Sequence, residues 1–498
     1  MSEGRTMSLE EKVGQLLMFG FDGTEPSPTA KRLLSERHAG GVILFYRNIR
    51  DGNHLPELVA ELEALATRPL LLAADQEGGS VLRVRQGASL LPSAMGLARL
   101  GPEAVREAAT ICGREMRAMG LNINLAPVLD VNNPANPGIG IRSFSSATGE
   151  VARLGESYTM ALQATGVLAC VKHFPGKGSA RLDAHLDLPV IDSTPEKVRS
   201  RDLAPFQRAF AAGAAAAMTS HCVYSKWDDR PATLSKRILT GLLRDELRFD
   251  GILITDDMEM GAIARYHKGT DAAVAAFEAG ADVILICRDP KLQESAIDAI
   301  VRAVKSGQIP KSRLDESIAR INRAKERIGP KPSDRIDKLA QSHEPRIQSL
   351  CDRIVHVDRD PARRLPLSGE AVDLYWPNMS LLTNVEEGSA GQEKIEAAFK
   401  ARFGNVRVIG YNPKDPKVEI GSDQSRSVVF FSANAHLFPG QSKLISEISS
   451  RFDRFVLVVL RNPYDRDLVP HEKTVVLNFG FLPNAIEAVL KKLLPREG

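Results

Sequence analysis

At 498 residues the chain is too long for one ordinary hydrophobic core, so two or three domains are expected. Apolar residues make up 43% and charged residues 26%, and 65 basic against 62 acidic side chains leave a net charge of +3 spread along the chain. This balance excludes a dense basic stripe for nucleic acid, and no apolar run approaches the ~20 residues of a membrane span.

The N-terminal stretch "MSEGRTMSLEEKVGQLLMFG" carries acidic residues where a secretory leader would have its apolar core, so a cytoplasmic protein is expected. From about residue 40 to 290 one coarse rhythm repeats: a short apolar run ends in polar residues, and an amphipathic helical pattern follows. The runs are "GGVILF", "LLLAAD", "INLAPVLD", "GVLACVKH", "AAAMTSH", "GILITDD" and "ADVILIC". Stretches such as "PEAVREAATICGREMRAMG" and "SKRILTGLLRDELRF" lie between them, with apolar residues three and four apart. Strands this apolar are buried on both faces, as in a parallel sheet covered by helices. Seven or eight such units favour a closed (β/α)8 TIM-type barrel over an open sheet, and no GxGxxG follows the first strand.

Polar residues end these strands: Asp75, Asp130, Lys172 with His173, His221, and Asp256 with Asp257. A barrel gathers such ends at one mouth. One Asp after a strand is as readily a helix cap, but five strands ending in ionisable groups point to a site. Asp75 is placed to accept bonds from sugar hydroxyls, with Gly78 and Gly79 allowing close backbone approach and Arg83 returning toward the mouth. Arg142 in "PGIGIRSFSS" and the pair Lys172–His173 add donors, so a polar, hydroxyl-rich ligand is expected. The loop "PGKGSARLDAHLDLP" follows the fourth run and holds Asp183 and His185, a carboxylate and an imidazole able to meet in a tight turn. That pair either pins a surface loop or makes a proton donor near neutral pH. Asp256 and Asp257 are adjacent, so only one faces the barrel axis; Asp256 is the expected inward carboxylate and could serve as a nucleophile, while Asp257 begins the exit turn and is read as a helix cap. Neither a phosphate-binding glycine loop nor metal-ligand spacing occurs, so no cofactor and no metal are expected. The five cysteines, Cys112, Cys170, Cys222, Cys287 and Cys351, are far apart and read as buried free thiols.

Residues 307–345 carry the basic helical stretch "KSRLDESIARINRAKERIG" and then "PKPSDRIDKLAQSHEP", a domain exit. The expected organisation is a barrel over 1–330, a linker over 331–345, and a smaller open α/β domain (an αβα sandwich) over 346–498 with runs such as "AVDLYWP", "SVVFFSA" and "FVLVVL". In that domain only His436 and Asp465 stand out, and a structural or substrate-flanking role is expected for it.

The segments "GGVILFYRNI", "DQEGGSVLR", "NLAPVLDV", "IGIRSFS", "KHFPGKGSARLDAH" and "FDGILITDDMEMGA" occur in order over roughly residues 8–328. Together they closely resemble glycoside hydrolase family 3, in particular its β-N-acetylhexosaminidase branch that cleaves peptidoglycan fragments. The later "RNPYD" and "VVLNFGF" are similar to the second domain of many members. The resemblance implies a retaining β-N-acetylglucosaminidase with Asp256 as nucleophile, His185 as general acid/base and Asp183 orienting it. It further implies that Asp75, Arg83, Arg142, Lys172 and His173 bind N-acetylglucosamine, the substrate being an oligosaccharide or muropeptide. The family usually has His at Lys177, Ser at Ala184, an acid at Ile141 and Arg at Ser80. A histidine acid/base does not repel an anionic acceptor, so a phosphorylase stands as the alternative, and a non-catalytic sugar-binding barrel as a second one. Oligomeric state is not legible.

Overall fold

The structure is a computed structural model that describes residues 7–182, 184, 187–379 and 392–495. Eight short strands form its first sheet: β1 (Leu17–Phe19), β2 (Gly41–Ile43), β3 (Leu71–Ala74), β4 (Ile123–Asn124), β5 (Leu168–Phe174), β6 (Ala216–Thr219), β7 (Ile252–Ile254) and β8 (Ile284–Ile286). They neighbour one another in chain order, every pairing is parallel, and β8 returns to β1 with Leu17 opposite Ile284. A parallel bridge between Ile254 and Val283 joins the remaining edges, so the sheet closes into the expected barrel. Helices cover its outside; Pro102–Ala118, for example, buries Val105, Ala108, Ala109, Cys112 and Met116, one face at helical spacing.

Two details depart from the sequence rhythm. The barrel begins earlier than residue 40, with a strand inside "GQLLMFG". Three residues between a helix (Leu9–Gly14) and a turn are too few to show a period. "GVLACVKH" is therefore the fifth strand. "INLAPVLD" supplies only Ile123–Asn124, because Pro127 has no N–H for the ladder, and pairing resumes as one bridge between Val128 and Lys172.

Helix Ile336–Ile354 leads to the second sheet, which comprises β9 (His356–Arg359), β10 (Ala371–Pro377), β11 (Asn405–Tyr411), β12 (Ser427–Ser432), β13 (Phe455–Val459) and β14 (Thr474–Leu477). Its order is β9-β14-β13-β12-β10-β11, with only β9 antiparallel to its neighbour. Alternation divides the side chains between two layers. Val372, Leu374, Val429, Phe431, Val456 and Val458 form a core of their own with Ile486 and Val489 of helix Pro483–Leu493. Tyr375, Phe430, Leu457, Val459, Val475 and Leu477 point the other way and belong to the cluster that also contains the barrel core. Ser93 Oγ donates to the Phe479 carbonyl at 2.7 Å, and His343 Nδ1 of helix Ile336–Ile354 lies 2.8 Å from Glu115 Oε1, so both the second domain and the helix that leads to it are tied to the barrel. All five cysteines are buried and unpaired. No helix among the described residues is long and apolar enough to cross a membrane.

Candidate active site

The C-terminal ends of the barrel strands surround a cavity, and Asp75, Arg83, Arg142, Lys172, His173, Asp256 and Asp257 line it, while Asp130 and His221 do not. β3 ends at Ala74 and delivers Asp75; a short hairpin, Gln76–Gly78 with Val81–Leu82, then brings Arg83 back. The turn depends on Gly78 and Gly79, at φ +104° and +61°, and a Cβ on Gly78 would sit 2.3 Å from the Pro92 carbonyl oxygen. Gln76 pins the hairpin, its Oε1 accepting from the amides of Arg83 and Val84 at 3.0 and 3.2 Å.

The result is a buried charge cluster. Lys172, at the end of β5, places Nζ 2.7 Å from Asp75 Oδ1 and 2.6 Å from Glu77 Oε1. Arg83 Nη2 reaches Asp75 Oδ2 at 3.1 Å, and Arg142 grips Glu77 with two bonds of 2.8 and 2.9 Å. Burial pushes the Asp75 and Glu77 carboxyls up, but the cations outweigh it: Lys172 and Arg83 hold Asp75 well below the usual carboxylate range, and Arg142 and Lys172 hold Glu77 down. Burial alone would lower Lys172, yet the two carboxylates raise it. The five groups fix one another and form a preformed set of donors and acceptors on the cavity wall. Glu77 is the member that sequence reasoning passed over. It stands two residues after Asp75, and that alternation was the available signal.

Asp130 sets the next pair. Its Oδ2 lies 2.6 Å from His173 Nδ1, and its Oδ1 accepts the Lys177 amide at 2.6 Å. This fixes the His173 ring at the cavity and directs the start of the loop after β5. Lys177 lines the same cavity, its Nζ 3.8 Å from Asp256 Oδ2.

Asp256 follows β7 and faces the cavity, its amide donating to Thr219 Oγ1 at 3.3 Å. Asp257 also reaches the cavity edge but is occupied by its own turn: Oδ1 accepts from the amides of Glu259 and Cys287, both at 3.2 Å. The next helix starts only at Gly261, so Asp257 closes a turn and ties it to the end of β8 instead of capping a helix. Burial, helped by Glu259, raises its carboxyl to about 7. His221 is structural, with Nδ1 2.8 Å from Thr233 Oγ1 and Nε2 2.9 Å from the Asp257 carbonyl.

Asp183 and His185 lie outside the described residues. Between them, Ala184 is buried against Met260 and Ala262, and its carbonyl accepts the Ala262 amide at 3.1 Å. This edge of the loop thus packs on the segment that follows Asp256. Of the other departures, Ile141 is fully buried in the core, and Ser80 is buried with its hydroxyl unpaired among the described residues. Among the described residues no group of three His, Cys, Asp or Glu side chains could hold a metal ion.

A parallel eight-strand barrel whose strand-end carboxylates, ammonium and guanidinium groups converge on one open cavity defines a barrel enzyme for a polyhydroxylated substrate. The model of the glycosyl hydrolase family 3 N-terminal domain matches residues 8–324. A β-hexosaminidase of Thioalkalivibrio sulfidiphilus is 39% identical over 291 residues, covering 57% of this chain and 84% of its own. A family 3 β-N-acetylglucosaminidase from Paenibacillus sp. str. FPU-7 superposes with a TM-score of 0.87 at 34% identity, covering 97% of this chain and 96% of that one. A β-N-acetylhexosaminidase of Beutenbergia cavernae has a TM-score of 0.62 at 34% identity, covering 64% of this chain and 99% of its own. The chain belongs to glycosyl hydrolase family 3 and is a glycoside hydrolase.

Proposed function

We propose that this chain is a retaining β-N-acetylglucosaminidase that releases terminal β-linked N-acetylglucosamine from peptidoglycan fragments in the cytoplasm. The observation that carries the reading is the single cavity shared by Asp256 and the Asp75–Lys172–Glu77–Arg142–Arg83 cluster. The names of its β-hexosaminidase relatives agree with it.

In this reading the sugar's hydroxyls and acetamide are held by Asp75, Arg83, Arg142, Lys172 and His173. Asp256 attacks the anomeric carbon as the glycosidic bond breaks, and His185, oriented by Asp183, gives its proton to the leaving oxygen. The imidazole then takes a proton from water, which displaces Asp256 and restores the β configuration. Burial, which raises the Asp257 carboxyl, disfavours a second negative charge beside the nucleophile. The catalytic unit is residues 1–330, joined through 331–345 to the domain of 346–498.

A second reading, phosphorolysis, is favoured by one feature. The Lys177 ammonium stands in the cavity 3.8 Å from Asp256 and forms no closer ion pair among the described residues. It would attract an anionic acceptor. Incubation with an aryl N-acetyl-β-glucosaminide, with and without phosphate, separates the two. Free β-N-acetylglucosamine in both cases supports hydrolysis, and N-acetylglucosamine 1-phosphate identifies the phosphorylase. No release of either refutes the activity.

A further inference from the structure

We propose that His436, in the second domain, is a positioning residue that clamps the barrel's catalytic loop through the strap of residues 131–140; this rests on the acid/base assignment made above for Asp183 and His185. The chain of contacts starts in the second domain, at the C-terminal end of β12. Asp465 is fully buried; its Oδ2 accepts from Ser432 Oγ at 2.8 Å, and its Oδ1 lies 2.6 Å from His436 Nδ1 and accepts the His436 amide at 3.0 Å. The imidazole orientation is thereby set, and its edge stands against the Tyr464 ring at 5.2 Å between centroids. Across the domain boundary His436 Nε2 meets the Pro134 carbonyl at 3.1 Å, and Tyr464 Oη accepts from Asn132 Nδ2 at 2.9 Å. Two second-domain side chains therefore hold one barrel segment.

That segment carries the base of the loop on its other side. Asn136 Nδ2 donates to the carbonyls of Lys177 and Gly178 at 2.9 and 3.1 Å. Arg201 links strap and loop a second time, with Nη1 2.5 Å from Ser179 Oγ and Nη2 donating to the carbonyls of Val131 and Asn132 at 3.0 and 3.1 Å. The backbones touch so closely that a Cβ on Gly178 would lie 1.8 Å from the Val131 carbonyl oxygen. At its far end the strap also supports Arg142, whose Nη1 donates to the Gly138 carbonyl at 3.0 Å. A packing contact alone would not call for a buried carboxylate behind an imidazole that bonds a backbone carbonyl. The arrangement fixes where the strap sits, and the strap fixes where residues 177–179 leave the barrel. An acid/base six to eight residues further along must meet the leaving oxygen to within a fraction of an ångström.

The test uses the full chain and a series of aryl N-acetyl-β-glucosaminides of rising leaving-group pKa. His436→Ala should lower kcat/KM by about tenfold or more for the poorest leaving group and by less than about threefold for the most activated one, because the proton donor loses its support while Arg142, which the strap also touches, keeps its two bonds to Glu77. Asn136→Ala should show the same trend, and the double variant should lose less than the product of the two single losses. Tyr464→Phe, a smaller change that keeps the ring, should shift the leaving-group dependence in the same direction if His436→Ala folds poorly. His185→Ala is the reference. Steeper dependence in His185→Ala but uniform losses, or none, in His436→Ala and Tyr464→Phe overturn the clamp. Uniform losses in His185→Ala overturn the acid/base assignment, and the clamp falls with it.

Discussion

Adjacent carboxylates at the end of β7 have been given opposite surroundings. Asp256 faces the cavity near Lys177, whereas Asp257 is engaged in its own turn and raised to about 7, chiefly by burial. If Asp256 is the nucleophile, Asp256→Ala should reduce turnover by several orders of magnitude with the fold intact, and a fluoro-sugar that traps the intermediate should label Asp256. Peptide mapping that finds the label on Asp257 would reverse the assignment. Asp257 makes a separate prediction about stability. The unfolded carboxyl ionises near its ordinary 3.8, while the folded one keeps its proton until about 7. Between these values unfolding releases a proton, so stability falls as pH rises through the window and changes no further from this group above it. Urea unfolding from pH 4 to 8 should show that fall, and it should be shallower in Asp257→Asn. An unchanged slope would mean that another group causes it; Asp202, raised to about 7 chiefly by burial, is the alternative.

At the scale of elements, the site is a set of strand ends held by one another's charges. The hairpin after β3 presents Asp75 and Glu77, β5 presents Lys172, and the short helix Gly140–Arg142 presents its arginine. Glu77→Ala would leave Arg142 without its two charge-assisted bonds and Lys172 with one carboxylate in place of two. Breaking such a buried pair typically costs about 3–5 kcal/mol, so the variant should be destabilised on that scale in denaturant titrations and bind sugar poorly. A loss under about 1 kcal/mol would mean that the cluster is wetter than its burial indicates. This network was only half legible beforehand. Asp75 and Lys172 could be picked out as polar residues at strand ends, and Arg83 and Arg142 as donors in the loops beside them, but Glu77 sits in a three-residue hairpin strand where only its alternation with Asp75 gave a signal. Lys177 could be seen as a departure from the family, yet only the folded loop brings its ammonium to Asp256.

For the molecule as a whole, the second sheet does more than sit beside the barrel. One of its faces closes on its own helices, while the other shares a hydrophobic cluster with the barrel. Ending the chain at residue 330 would also remove helix Ile336–Ile354, whose Ile354 side chain packs against Gly96. The isolated barrel should therefore expose a broad apolar face, melt at lower temperature and self-associate. Light scattering and thermal melts of residues 1–330 check this, and a monomer with the full-length melting temperature would contradict it.

The barrel was readable from the chain alone because parallel strands covered on both faces leave continuous apolar runs, and because helices between them repeat a 3.6-residue pattern. The same logic marked the strand ends that form the cavity, since a closed barrel has one mouth. The sequence did not determine the first strand, three residues long, or that Asp257 closes a turn onto the end of β8 instead of capping a helix. Nor did it determine that His436 and Tyr464 touch a strap three hundred residues earlier. Periodicity records which face of an element is buried, whereas pKa values and clamps depend on which distant groups share that burial. Only the tertiary structure decides the second question.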